Sequence, residues 1–161
     1  MPIAEGDSVP ADAAGRTLQD GKPEPTTLAE LVAGKRAIVF GVPGAYTGTC
    51  TNQHLPSFAE NQAALTEKGI DTVICMSTND ISVLDAWNAA HGAAHVTMLA
   101  DGNGDITRAL DLGVDLSVAG MGFRTRRFAM FVDDGVVKAL NVEESPATCG
   151  ITSATGILER V

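Results

Sequence analysis

Three short apolar runs, Arg36-Ala37-Ile38-Val39-Phe40-Gly41-Val42, Asp71-Thr72-Val73-Ile74-Cys75-Met76-Ser77 and Val96 to Ala100, alternate with amphipathic stretches, and this alternation constrains the fold most. Runs of that length and apolarity form strands buried on both faces, the kind that fill a parallel sheet with helices on either side. The intervening stretches read as helices. Thr27-Leu28-Ala29-Glu30 forms a capping box ahead of Leu31 and Val32, and Gly34 ends that helix. After Cys50 the spacing predicts one helix with Leu55, Phe58 and Leu65 on a common face and Gly69 as its stop, while Pro56 kinks it or tightens its first turn. A further helix is expected from about Ser82 through Trp87 to His91. Asp101 to Asp105 turns into another, and a last one spans about Ser153 to Val161. Arg126 to Val132 is expected to pair with Val136 to Asn141 through the turn Asp133-Asp134-Gly135. The order is α/β, with no internal repeat and no linker.

The chain has 161 residues and 45% apolar content, enough to bury a sizeable core and too short for two full domains, so one soluble domain over residues 1–161 is expected. A net charge of -9 disfavours nucleic acid and anionic membrane surfaces, which both want a basic face. The segment Met1 to Asp7 carries acids early and does not read as a secretory signal, and no apolar run is long enough to span a membrane. Three cysteines are too few and too oddly numbered for a disulfide framework, which makes a reducing, cytoplasmic location the expectation.

Cys50 closes the stretch Gly41 to Thr49 between a strand and a helix. A sulfur in the first helical turn faces unpaired backbone N–H groups and the positive end of the macrodipole, and both favour thiolate. The spacing Pro43-x-x-x-Thr47-x-x-Cys50 resembles the active-site signature of the peroxiredoxins. Further segments narrow the resemblance to the peroxiredoxin-five, or plant type II, branch: Gly41 to Ala45, His54-Leu55-Pro56, Ser77 to Asp80, Ala86-Trp87, Leu99 to Gly102 and Val137 to Glu143. Tyr46 and Gly48 depart from it, and Gly48 removes a stiffening proline and leaves the cysteine loop more mobile. The resemblance implies a thioredoxin-like fold, with a central mixed β-sheet flanked by helices and an N-terminal extension. It also implies a homodimer, Cys50 as the peroxidatic cysteine, and a catalytic arginine at Arg127, with Arg126 or Arg124 as the fallback.

The chemistry can be stated from the residues. Cleaving a peroxide O–O bond needs a thiolate in line with that bond and a group to carry the departing charge. Cys50 attacks. The Thr47 hydroxyl accepts from or donates to the peroxide, and the loop N–H groups around Gly48, Thr49 and Cys50 hold the substrate. Pro43 stiffens the loop and shields the sulfur, and Arg127 offers a fixed charge with several donors. No cofactor is required. His54, a turn beyond Cys50, either tunes the thiolate or is a packing or surface histidine. His91 and His95 carry no signal. Asp101 to Asp105 begins like a calcium loop, but Ile106 and Leu112 stand where that loop needs glycine and an acid, so a plain turn is expected. No Cys-x-x-Cys is present, which disfavours zinc and a thioredoxin-type dithiol.

Cys75 and Cys149 are the candidate resolving thiols. Cys75 lies inside an apolar strand and reads more readily as inert. Cys149, in the loop Pro146 to Ile151, falls slightly before the position that the branch's C-terminal resolving cysteine would occupy. Without either, the sulfenic acid on Cys50 passes to glutathione and glutaredoxin; with one of them, thioredoxin is the reductant. The expected substrates are hydrogen peroxide and alkyl hydroperoxides, and the expected role is antioxidant defence. A peroxide-responsive binding protein or holdase is the alternative of another class, for which the 4% aromatic content offers no obvious client surface.

Overall fold

The computed structural model describes residues 1–161. Its elements in chain order are β1 (Ala14–Gln19), β2 (Lys22–Thr27), α1 (Leu28–Val32), β3 (Arg36–Gly41), a π-helical turn (Cys50–His54), α2 (Leu55–Ala59), α3 (Gln62–Glu67) and β4 (Thr72–Ser77). There follow α4 (Ile81–His91), β5 (Val96–Ala100), α5 (Asp105–Leu110), β6 (Gly113–Asp115), a single 3₁₀ turn (Ser117–Ala119), β7 (Phe123–Thr125), β8 (Phe128–Asp133), β9 (Val136–Val142) and α6 (Ala154–Leu158).

A seven-stranded mixed sheet runs in the order β2-β1-β5-β4-β3-β8-β9. The three apolar runs are its parallel centre, β3 beside β4 and β4 beside β5, and the outer pairings are antiparallel. Side chains alternate across β3. Ile38 and Phe40 join a core of 22 residues with Leu55, Phe58, Leu84, Trp87 and Ile157, while Ala37 and Val39 join one of 16 with Leu28, Val32, Ile106 and Leu110. Helices α2, α4 and α6 therefore cover one face, and α1 and α5 the other.

The structure departs from the sequence reading in four places. First, the N-terminal extension is built into the sheet. Ile3 to Val9 lies along the β9 edge, where Gly6 and Val9 donate to the Val137 and Gly135 carbonyls. The chain then crosses to the opposite edge as the β1–β2 hairpin, turned by Asp20-Gly21 with φ of 51° and 76°. An Asp-Gly pair suits a turn that needs positive φ at both residues, and Pro23 and Pro25 deny the outer edge N–H groups to any further strand. Second, the helix expected after Cys50 is three pieces. Pro56 has no N–H to offer and its ring crowds the carbonyl one turn back, so the preceding turn widens and Leu55 N–H reaches Cys50 O. A second break at Glu60 and Asn61 separates α2 from α3. Third, β8 begins at Phe128, so Arg126 and Arg127 precede the strand; Arg126 N–H bonds to the Leu112 carbonyl. Fourth, the final helix is only Ala154–Leu158, capped by Ser153. The turn Asp134-Gly135 and the helix stops at Gly34 and Gly69 stand as read, each with positive φ. Asp101 caps the turn before α5, accepting from the N–H groups of Ile106 and Thr107.

Candidate active site

Gly41 sets the geometry of the site. It pairs with Phe128 across β3 and β8, and a Cβ there would lie 2.3 Å from the Phe128 ring. Only glycine lets that ring pack flat on β3. Arg127, immediately before Phe128, is thereby carried in beside the residues that follow β3.

Those residues form the loop from Val42 to Thr49. Asn79 braces it, its Oδ1 accepting from Ala45 N–H at 2.9 Å and from the Ser77 hydroxyl at 2.7 Å. Tyr46 turns the loop with φ of 64°. The Thr47 hydroxyl donates to the Gly44 carbonyl at 2.7 Å, and the Thr47 carbonyl takes Thr51 N–H at 3.0 Å, which starts the helical turn containing Cys50. With its one proton given to Gly44, Thr47 Oγ1 faces any substrate as an acceptor. The Thr49 hydroxyl is likewise spent, donating to the Ala147 carbonyl at 3.0 Å. The N–H groups of Gly48, Thr49 and Cys50 have no acceptor in the protein, the condition expected at a helix start.

Cys50 Sγ is fully buried and accepts from Arg127 Nη2 at 3.0 Å. Arg127 is itself only 2% exposed. Three of its other four N–H groups go to the Pro146 carbonyl, from Nη2 at 3.0 Å and Nε at 3.3 Å, and to His54 Nδ1, from Nη1 at 2.9 Å, which leaves one N–H on Nη1 without an acceptor in the protein. No carboxylate pairs with this guanidinium. A buried cation without a counter-ion is costly, so the pocket is matched to an anionic sulfur.

His54 forms no hydrogen bond to the sulfur. Its Nε2 lies 2.8 Å from the Thr152 carbonyl, which can only accept, so Nε2 carries the hydrogen and Nδ1 accepts from Arg127. Burial, and then the Arg127 charge, lower its pKa to about 3 against the opposing pull of the Thr152 bond, and the imidazole stays neutral. His54 is therefore neither surface nor mere packing; it holds the arginine.

A cavity of about 280 Å³ opens beside Arg127, the residue that donates to the buried sulfur. Pro43, Thr47, Gly48, Thr49 and Arg127 form its polar and loop side, and Leu116, Ala119 and Met121 an apolar wall. The structure thus brings together six residues singled out from sequence: Pro43, Thr47, Gly48, Thr49, Cys50 and Arg127. Neither neighbouring arginine bonds to the sulfur: Arg124 donates to the Pro43 carbonyl at the site, and no side-chain hydrogen bond involves Arg126. The sequence reading did not single out Asn79, Pro146 or the apolar wall for the site. Only Asn79 had a local signal, as part of Ser77-Thr78-Asn79-Asp80.

Cys75 and Cys149 are both free thiols. Cys75 is fully buried on β4, and burial, reinforced by the nearness of Cys50 and only partly offset by Arg127, pushes its pKa well up. Cys149 is half-buried on the wall of a second cavity of about 730 Å³, with Gln53, Glu143 and Thr148. Burial is the main cause of its raised pKa, with the Thr152 hydroxyl and Arg127 pulling the other way. Its loop is pinned by Glu143, whose carboxylate accepts from Gly150 N–H, Thr152 N–H and the Thr152 and Thr148 hydroxyls. Desolvation works against that carboxylate, but the four bonds outweigh it and hold its pKa below the usual value.

A family model described as Redoxin matches residues 4–158. Peroxiredoxin-2E-2, chloroplastic, of Oryza sativa subsp. japonica is 47% identical over 150 residues, 90% of this chain and 67% of the relative. Peroxiredoxin-2B of Arabidopsis thaliana is 42% identical over 98% of both chains. The reduced Prx3 of Vibrio vulnificus in complex with H2O2 superposes with a TM-score of 0.90 at 39% identity, covering 98% of this chain and 94% of that one.

Proposed function

The chain belongs to the peroxiredoxins, the thiol peroxidases of the redoxin family, and from that premise we propose that it reduces hydrogen peroxide and organic hydroperoxides at Cys50, with glutathione and glutaredoxin as the reductant. The observation that carries the reading is the buried Arg127 guanidinium on Sγ, with no carboxylate to satisfy it.

The peroxide enters the cavity with its terminal O–H directed at Thr47 Oγ1 and its oxygens at Arg127 and the free N–H groups of Thr49 and Cys50. The thiolate attacks the terminal oxygen, the S–O bond forms and the O–O bond breaks. The departing oxygen takes the bonding electron pair and a proton and leaves as water or an alcohol, and Cys50 becomes a sulfenic acid. Donors fixed before the reaction stabilise the charge that moves onto the leaving oxygen. An alkyl group would lie against Leu116, Ala119 and Met121, which supports including organic hydroperoxides among the substrates.

The raised pKa values of Cys75 and Cys149 leave neither as a ready nucleophile, which favours an external thiol. Glutathione attacks the sulfenic sulfur, releasing water and forming a mixed disulfide. A second thiol, from glutaredoxin or glutathione, then frees Cys50. One observation favours the alternative in which Cys149 resolves and thioredoxin reduces: of the two remaining thiols, Cys149 is the one that is not fully buried, in a loop on the wall of a cavity. The partner inferred for the exposed Tyr46 and Val118 is a second copy of the chain. Turnover of a Cys75→Ser, Cys149→Ser double variant with glutathione and glutaredoxin decides the reductant: native-like turnover supports the one-cysteine cycle, and its loss overturns it.

A further inference from the structure

Arg124 takes no part in the chemistry just described, yet it ties together two segments that line the cavity of the site. Its Nε donates to the Met121 carbonyl at 2.8 Å and its Nη1 to the Pro43 carbonyl at 3.3 Å. It forms no salt bridge. The two carbonyls belong to two segments that both line the cavity: Pro43 on the cysteine segment, and Met121 on the arm between β6 and β7 that supplies the apolar wall.

That arm is otherwise self-contained. Leu116 N–H bonds to Gly122 O, Met121 N–H and Ala119 N–H to Leu116 O, Gly120 N–H to Ser117 O, and Ser117 to the Asp115 carboxylate. None of these bonds leaves residues 115–122. Gly120 and Gly122 both have positive φ, a backbone conformation that does little to stiffen the arm by itself. Arg124 is thus the one polar tie between the wall and the cysteine segment. Gly44 makes room for it: a Cβ there would lie 3.2 Å from Arg124 Nη1, 3.3 Å from Thr47 Cγ2 and 3.4 Å from Met121 Cε. Guanidinium, threonine methyl and methionine methyl meet where a side chain is missing.

We propose that Arg124 is a positioning residue that sets hydroperoxide selectivity, holding the arm against Pro43 so that Leu116, Ala119 and Met121 stay within reach of an alkyl group on the bound peroxide. A planar, forked donor suits two carbonyls on different segments; a lysine would satisfy them less completely. The inference rests on the peroxidase reading of the same cavity.

The test compares second-order rate constants of Cys50 oxidation by cumene hydroperoxide and by hydrogen peroxide in the native protein and in Arg124→Met, Arg124→Lys and Met121→Ala. The cumene-to-hydrogen-peroxide ratio should fall about four- to fifteenfold in Arg124→Met and Met121→Ala, as expected when one or two methylene-sized contacts are lost, and Arg124→Lys should recover part of it. A general loss of folding or catalysis would move both rates together and leave the ratio alone. An unchanged ratio in Arg124→Met and Met121→Ala overturns the proposal. Should Arg124→Met not fold, the ratios of Arg124→Lys and Met121→Ala decide in the same way. A native protein inert to both peroxides overturns the peroxidase reading, and the selectivity proposal with it.

Discussion

Lowering the pH from 7.5 to 5 should destabilise the fold through His54 by an amount that the structure allows to be worked out. The imidazole lies against the stacked rings of Phe40 and Phe58, with ring centroids 4.8 and 5.8 Å away, and its Nδ1 accepts from Arg127. Burial first, and the arginine charge second, bring its pKa from 6.5 to about 3. In the unfolded chain the residue takes up a proton near its ordinary value. Between pH 6.5 and about 3, then, the unfolded state binds one proton more than the folded state, and stability rises with pH across that window. The contribution is intact above pH 6.5 and is lost on acidification; integrated from pH 7.5 to 5 the loss is about 2 kcal/mol. Urea unfolding followed by the fluorescence of Trp87 at a series of pH values would measure it. The control is His54→Gln, whose amide can accept from Arg127 and donate to Thr152 without titrating. Native stability should fall by about 2 kcal/mol more than that of the variant over this range. Parallel curves would mean that His54 takes up its proton in the folded protein near the ordinary pH, and would refute its assignment as the neutral acceptor that holds Arg127.

Three further outcomes follow from the same geometry. Arg127→Lys keeps the charge but cannot reach Sγ, Pro146 and His54 at once, so the rate constant with hydrogen peroxide should fall about a hundredfold or more by stopped-flow. Gly41→Ala drives a methyl into the Phe128 ring and should destabilise by about 1–3 kcal/mol in denaturant unfolding, with a loss of peroxide reactivity as Arg127 moves. Gly48→Pro should raise stability by about 0.4–1 kcal/mol in the same unfolding experiment, since Gly48 heads the helical turn, its N–H has no acceptor and open space surrounds it.

The sequence disclosed what short-range chemistry dictates. Continuous apolar runs identified the three central strands, because a strand covered on both faces has no polar side to show. The Thr27 capping box and the glycines with positive φ marked their turns for equally local reasons. The β1–β2 hairpin was missed although Asp20-Gly21 was a legible turn, because Lys22-Pro23-Glu24-Pro25 lacks the apolar alternation of a strand. An edge strand protected by prolines hides its own signature. The division of the helix after Cys50 was half legible: Pro56 announced a disturbance but not that a π turn would absorb it. At the site, Pro43, Thr47 and Cys50 lie on one loop and could be read from spacing. Arg127 came only through family resemblance, because nothing in Arg124-Thr125-Arg126-Arg127 says which guanidinium turns inward. That choice is made by Gly41, far away in sequence, through its contact with Phe128. The roles of His54 and Arg124 depend on partners from distant segments, Thr152 and Pro43, which no local pattern records.

The proposed cycle makes Cys50 a nucleophile complemented by Arg127 and regenerated by an external thiol. Mass spectrometry with peptide mapping, under non-reducing conditions after one equivalent of hydrogen peroxide, tests it most directly, with Cys50→Ser as control. One added oxygen is expected on the Cys50 peptide, replaced by a glutathione adduct when glutathione is supplied, with no change in the variant. A disulfide from Cys50 to Cys149 or Cys75 would contradict the external-thiol cycle, and an unmodified Cys50 would contradict the peroxidase itself.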